Sequence, residues 1–255
     1  MIQTIIIHLP RNKDRKNAML QKIKKTCLTH FHFFDAIDGK NDLHKYKFKI
    51  IPHFIDPCYF TPINTGTIGC TLSHYYVWKY IIENKIQRAL ILEDDATFYE
   101  NFDNVFKTVL ELDIPYDIFY LNRIPQNEEY NLGPEIEMMP NIVIPKYSYN
   151  ASTYIITYSG AKKMIESNCL EHFLPIDELL PIMYDPLYPF KEYSKYYDNC
   201  QKLVAYALKE CIADQEKRDN FPSDVEYSQL YNLIFYKGNN IENILHECNI
   251  KIDKV

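Results

Sequence analysis

The stretch Ala89-Leu90-Ile91-Leu92-Glu93-Asp94-Asp95-Ala96-Thr97-Phe98 decides how this chain is read. An apolar run ends abruptly in three consecutive acids, the pattern of a buried parallel strand that delivers carboxylates to one edge of a sheet. Open α/β sheets bind their ligands at that edge. Adjacent anions repel one another and a cation relieves the repulsion; because carboxylate oxygens are hard ligands, that cation would be Mg²⁺ or Mn²⁺ rather than zinc. The other reading is a strand that surfaces in a solvated acidic turn, and the stretch by itself leaves both open.

The 255 residues suffice for one large α/β domain with a full core. With 47% hydrophobic residues, 24% charged and a net charge of -6, the composition is that of ordinary globular protein and argues against a nucleic-acid footprint. The nearest thing to a basic stripe, residues 22–25 with Lys13 and Arg15, reads as a solvated helix face. No run approaches the length of a membrane span, and the opening residues, lacking a charged region followed by a longer apolar one, predict no secretion signal within them. Cys27, Cys58, Cys70, Cys169, Cys200, Cys211 and Cys248 are scattered and odd in number, which fits reduced thiols in a cytosol-like compartment better than a disulfide framework.

Residues 4–9 (TIIIHL) predict a buried first strand, and Asn12 is placed to cap a helix running to about Cys27. At the end of that strand, Arg11 and Arg15 could meet phosphate oxygens or simply be solvated. Residues 30–35 predict a second strand closed by a turn at 36–39, and residues 40–66 a long excursion over the binding edge. A largely buried helix is predicted over 69–84. In it Cys70 and His74 lie one turn apart, a spacing that a packed thiol and a hydrogen-bonded core histidine explain more simply than a metal site. A helix over 101–112, a strand over 117–121, an irregular flap over 124–147 with one strand at 142–144, and a strand over 152–157 follow. Ser159-Gly160 would cap a helix to about Asn168. In 174–181 two acids, Asp177 and Glu178, interrupt an apolar run; such an acid serves as a raised-pKa base or caps the next helix, and capping is the commoner role. A strand over 203–207, a polar loop over 214–224 and an amphipathic segment over 241–248 complete the chain.

In this order the segments resemble glycosyltransferase family 25, and within it the procollagen galactosyltransferase branch. The resemblance rests on IIIHLPRNKDR (5–15), FDAIDGK (34–40), IIPHFIDP (50–57), GTIGCTLSHYYVWK (66–79), ALILEDDATF (89–98), YDIFYLNR (116–123), YSYNASTYIITYSGAKKMI (147–165), LPIDELLPIMYD (174–185), LVAY (203–206) and SDVE (223–226). It implies a GT-A fold, a Rossmann-like, mostly parallel α/β sheet with helices on both faces, over 1–228, followed by a helical tail, 229–255, packed on the domain. It also implies inverting transfer of galactose or glucose from UDP-galactose or UDP-glucose, with Mn²⁺ or Mg²⁺, to a hydroxyl, first of all that of 5-hydroxylysine in a collagen-like protein. A glycan acceptor, or a catalytically silent domain that binds collagen-like chains, are the alternatives; a homodimer is left open. The setting would be cytoplasmic, as for a large DNA virus acting on its own collagen-like proteins.

The resemblance also assigns roles. Glu93 and Asp95 would hold the metal and Asp94 a ribose or sugar hydroxyl. His8, Leu9, Arg11, Arg15 and Asp38 would lie against uridine and pyrophosphate, and Gly69, Ser73 and His74 would approach the nucleotide from the N-terminal end of their helix. Arg123, Tyr149 and Asn150 would line the donor sugar or acceptor. Asp177 or Glu178 would be the base, with Asp177 preferred. His8 stands where the family usually has Asn, Thr67 where it has Glu and Asn122 where the collagen branch has Gly. The branch's histidine after its last strand has no counterpart in 212–217, so Asp214, Gln215 or Asp224 would complete the metal site.

Overall fold

The computed structural model describes residues 2–57 and 62–216. Its opening unit is strand β1 (Gln3–His8), helix α1 (Lys13–Ile23) and strand β2 (Phe31–Asp35), with β2 parallel to β1. Helix α2 (Thr65–Glu83) then leads to β3 (Arg88–Glu93), which pairs parallel with the other side of β1. The chain therefore reverses its direction of travel across the sheet at β1, and the crevice at the carboxyl ends of β1 and β3 is the switch point where ligands bind in doubly wound sheets.

Periodicity explains why helices cover both faces. Ile5, Ile7, Ala89 and Ile91 point into one cluster with Ile68, Leu72 and Trp78 of α2. Ile6, Leu90 and Leu92 point into the other, with Met19 and Ile23 of α1 and with Phe102 and Phe106 of α3 (Phe102–Glu111). All of these are buried, and each large aliphatic or aromatic side chain contributes roughly 1.5–3 kcal/mol by leaving water.

Beyond β3 lie β4 (Ala96–Phe98), β5 (Ile118–Tyr120), β6 (Ile124–Pro125), β7 (Ile136–Met139), β8 (Ile142–Ile144), β9 (Ser148–Tyr149), β10 (Thr153–Thr157), β11 (Ala205–Leu208) and β12 (Ala213–Gln215). The main sheet has eight strands in the order β2-β1-β3-β10-β5-β11-β8-β7. Its pairings set β1, β2, β3, β5, β7 and β11 in one direction and β8 and β10 against it. The sheet is mixed and mostly parallel, with the GT-A-like α/β form expected. Helices α4 (Tyr158–Glu166) and α5 (Ile176–Tyr184) join α2 on its face of the sheet.

Several sequence expectations are corrected. Helix α2 begins at Thr65, four residues before the predicted start, because the Asn64 side chain accepts the Thr67 N–H and caps it. Helix α1 ends at Ile23 rather than near Cys27, and Asn12 precedes it without a side-chain capping bond. Thr157, not Ser159-Gly160, caps α4 by accepting the Gly160 N–H, and that helix ends at Glu166. Residues 214 and 215, read as the start of a loop, belong with Ala213 to β12, which pairs with the unforeseen β4. The flap holds β6 and β7 as well as β8. Asp224, the 241–248 segment and the 229–255 tail lie outside the described residues. Among the described residues no helix is long and apolar enough to cross a membrane.

Candidate functional site

The acid triplet that ends β3 sits beside the end of β1, as the parallel register Ile7 to Glu93 requires. Asp94 is buried and held twice, by His8 Nδ1 at 2.7 Å and by Arg15 Nε at 3.2 Å. Arg15 also reaches Asp95, Nη2 to Oδ2, at 2.7 Å. One guanidinium thus serves two carboxylates, while Asp95 Oδ1 is buried with no hydrogen-bond partner among the described residues. Burial and the neighbouring Glu93 charge raise the Asp95 pKa.

Glu93 is gripped from the α2 side. His74 Nε2 lies 3.2 Å from its Oε1 and Cys70 Sγ 3.5 Å from the same oxygen. The far nitrogen of His74 is 2.8 Å from Tyr154 Oη, which also accepts the Trp78 indole N–H at 3.1 Å. Burial works against ionising Glu93, but the hydrogen bonds from His74 and Cys70 and the Arg15 charge outweigh it, and its pKa is lowered. The β4–β12 ribbon brings Gln215 Nε2 to 3.3 Å from Glu93 Oε2, whereas Asp214 turns to the Tyr99 hydroxyl. Of the two described residues offered to complete the acid site, Gln215 is the one at hand.

A second wall comes from the antiparallel strand β10, whose start necessarily lies at the carboxyl end of β3: Glu93 N–H donates to the Ser152 carbonyl at 2.9 Å. The preceding residue pair is unusual. Asn150 has φ 76, in the left-handed region that its short amide side chain tolerates, and that side chain accepts the Ser152 N–H. The turn is pinned by Asp177, whose Oδ1 accepts the N–H groups of Asn150 and Ala151, both at 3.1 Å. Pro175 occupies the N-cap position of α5, so Asp177 is no helix cap. Burial, then the charge of Glu93, push its carboxyl up to about 7. Glu178 points elsewhere, into a closed nest where the Tyr147 hydroxyl donates to it at 2.6 Å and the Tyr188 hydroxyl donates to its other oxygen. Burial pushes it up to about 8.

The third wall is a pocket of about 380 Å³ over the ends of β1 and β2, lined by Leu9, Pro10, Arg11, Asp38, Asp42 and Tyr46 among others. An ion pair between Arg11 and Asp38 spans it. The 36–39 turn that shapes it rests on α2: the Ser73 hydroxyl accepts the Ile37 N–H at 2.8 Å and donates to the Gly69 carbonyl at 2.6 Å. A Cβ on Gly69 would stand 2.7 Å from both Gly39 N and Ile37 O, so only glycine lets helix and turn meet. Because α2 begins at Thr65, Gly69, Ser73 and His74 lie inside the helix and shape the site from behind.

The structure thus gathers His8, Leu9, Arg11, Arg15, Asp38, Glu93, Asp94, Asp95, Asn150 and Asp177 at one sheet edge, whereas the Tyr149 hydroxyl meets that of Tyr147 at 3.1 Å, with the tyrosines around Glu178. Arg123 also lies near this end, but is buried and committed to Glu135, at 2.7 and 2.5 Å, and to Ser148, so it ties down the flap. Sequence reasoning missed Asp56, a buried acid whose charge acts on Asp177 and Glu178; the word IIPHFIDP contained it without marking it. It missed the Tyr147 and Tyr188 nest as well.

The donors suit a hard divalent ion. Glu93 and Asp95 offer carboxylate oxygens, one of them buried and unpaired, where charge repulsion is already felt. These two residues could hold it.

Comparison with known proteins identifies the family. The family model described as glycosyltransferase family 25 (LPS biosynthesis protein) matches residues 1–180. The chain is 35% identical over 221 residues to the procollagen lysyl hydroxylase and glycosyltransferase of Acanthamoeba polyphaga mimivirus, covering 81% of this chain and 24% of that protein. It is 30% identical over 242 residues to procollagen galactosyltransferase 2 of Homo sapiens, covering 90% and 38%. A third relative, the inactive glycosyltransferase 25 family member 3 of Homo sapiens, is 29% identical over 83% of this chain and 36% of its own length. The chain spans well under half the length of each of these relatives. With its family model matched over 180 residues, the chain belongs to glycosyltransferase family 25.

Proposed function

We propose that this chain is a metal-dependent, inverting glycosyltransferase that moves galactose or glucose from a UDP-sugar to the hydroxyl of 5-hydroxylysine in a collagen-like protein. The observation that carries the reading is a concentration of acids around one small volume: Glu93 and Asp95 at the strand end and Asp177 facing them, with burial first and the Glu93 charge second in raising the pKa of both aspartates. Groups so placed cost stability, and strongly perturbed carboxyls gathered in a crevice are the mark of a functional site. The relatives named for procollagen modification support the acceptor.

The pocket over β1 and β2 takes the uridine end of the donor, with Leu9 and Tyr46 as apolar wall and Asp38 and Asp42 as acceptors for hydroxyl or imide groups. Arg15, which partly neutralises Asp94 and Asp95, stands where a diphosphate would approach, and Arg11 faces the same side. Glu93 and Asp95 would hold a divalent ion, Mn²⁺ or Mg²⁺, which would supply positive charge against the departing diphosphate. Asp177 is the base. With a pKa of about 7 it is ionised in about half of the molecules at neutral pH and basic enough to take the acceptor's proton as its oxygen attacks the anomeric carbon. Glu178 lies enclosed by tyrosines and holds the wall that positions Asp177.

The test is UDP release from UDP-galactose and UDP-glucose, with and without a hydroxylysine-containing collagen peptide, in Mn²⁺ and in EDTA. Turnover that needs the metal and falls at least ~100-fold in Asp177→Asn supports the proposal. A folded wild type without turnover on either donor would favour a binding module, a reading to which the inactive human relative lends weight.

A further inference from the structure

Cys70 and His74 stand one helical turn apart on α2 and reach the same carboxylate oxygen, Glu93 Oε1, at 3.5 and 3.2 Å. One sulfur, one nitrogen and one oxygen ligand atom lie within 4.8 Å of one another. A zinc ion bound to such a set sits about 2.3 Å from sulfur and about 2.0–2.2 Å from nitrogen or oxygen, which at tetrahedral angles separates the ligand atoms by roughly 3.3–3.6 Å. Of the two hydrogen-bonded separations, sulfur to oxygen at 3.5 Å falls in that range and nitrogen to oxygen at 3.2 Å lies just below it. His74 also has the backing that a ligating histidine needs: its other nitrogen meets Tyr154 Oη, fixed in turn by the Trp78 indole, so the ring cannot swing away.

We propose that Cys70, His74 and Glu93 form a binding site for a thiophilic divalent cation of the zinc class, separate in chemistry from the hard-ion site of Glu93 and Asp95 and overlapping it at Glu93. On binding, the Cys70 thiol gives its proton to solvent. The His74 imidazole turns an Nε2 lone pair to the ion and carries its proton on Nδ1, where Tyr154 Oη, able to accept as well as donate, receives it. The cation then takes the place of the two hydrogen bonds on Oε1. The thiolate selects against Mg²⁺ and Mn²⁺. Because Glu93 would belong to both sites, zinc should oppose the metal that turnover requires; this consequence, though not the site, rests on the transferase reading above.

The experiment titrates the full chain with Co²⁺, a spectroscopic stand-in for zinc, and follows the thiolate-to-cobalt absorption and its displacement by Zn²⁺. A saturable band at one ion per chain in the wild type, lost in Cys70→Ser and weakened about tenfold in Tyr154→Phe, is the expected result. No band in the wild type, or an unchanged band in Cys70→Ser, overturns the proposal. If Cys70→Ser does not fold, as judged by its melting transition, Glu93→Gln takes its place, and a band of unchanged affinity there is equally fatal. In turnover assays Zn²⁺ should raise the Mn²⁺ needed for half-maximal rate in the wild type and leave Cys70→Ser unaffected. Absence of all turnover would defeat the transferase reading, while the cobalt spectrum would still decide the site.

Discussion

Replacing Asp177 by Asn removes a charge while keeping an oxygen for the N–H groups of Asn150 and Ala151, each 3.1 Å away. The turn should therefore hold its shape. In the wild type, burial and the charge of Glu93 lift the Asp177 carboxyl from 3.8 to about 7. The folded protein then binds this proton more tightly than the unfolded chain does, so between those values it carries more protons. Stability accordingly falls as pH rises through the window and levels off above about 7. At about 1.4 kcal/mol per pH unit the rise is worth at most ~4 kcal/mol. Asp177 is only half-buried, so solvent screens its charge, and ~1–2 kcal/mol is the expected size. Asn does not titrate. Asp177→Asn should thus be more stable than the wild type by that amount at pH 8, with the difference shrinking towards pH 5, in urea denaturation at the two values. In the same variant UDP release should fall at least ~100-fold, and wild-type turnover should rise with pH through about 7. Equal destabilisation at both pH values, or turnover retained, would refute the assignment.

Glu178→Gln is the companion: its side chain is enclosed by Tyr147 and Tyr188, so turnover should stay within about tenfold of wild type, as UDP release would show. Arg15→Ala leaves Asp94 and Asp95 without their shared cation and should cost ~2–3 kcal/mol in urea denaturation, part of it recovered by millimolar Mn²⁺. Gly69→Ala drives a methyl group to 2.7 Å from the backbone of residues 37 and 39; a loss of ~1–3 kcal/mol and weaker UDP binding by calorimetry should follow, since the pocket floor moves.

What the sequence made legible follows from which forces are local. The apolar runs of β1 and β3 and the apolar face of α3 announce themselves because burial on a sheet or along one helix stripe imposes a period. The β4–β12 ribbon did not, being three residues a side and joining positions over a hundred apart. The true start of α2 was hidden for a different reason: the Asn64 cap stands in a stretch that its prolines mark as loop, and only the Asn64–Thr67 bond shows that helix begins there. The site behaves likewise. The residue types at the strand end were plain, yet the bonds that tune them, Arg15 to Asp95 and His74 to Glu93, span 80 and 19 residues and depend on how α1 and α2 pack.

The choice between Asp177 and Glu178 shows where reading a sequence stops. Neighbours on a helix project about 100° apart, so two adjacent acids at its first turn cannot both face one substrate. Composition and spacing treat them alike. Packing separates them, because α5 presents Asp177 to the 150–151 turn beside Glu93 and sends Glu178 among tyrosines. Both acids have raised pKa values, and burial comes first among the causes of each. A raised pKa therefore does not by itself mark the base. What distinguishes Asp177 is that a neighbouring site acid, Glu93, is the next cause and that the residue is only half-buried. Glu178 draws its rise from enclosure in a nest that no donor can enter without displacing Tyr147 and Tyr188.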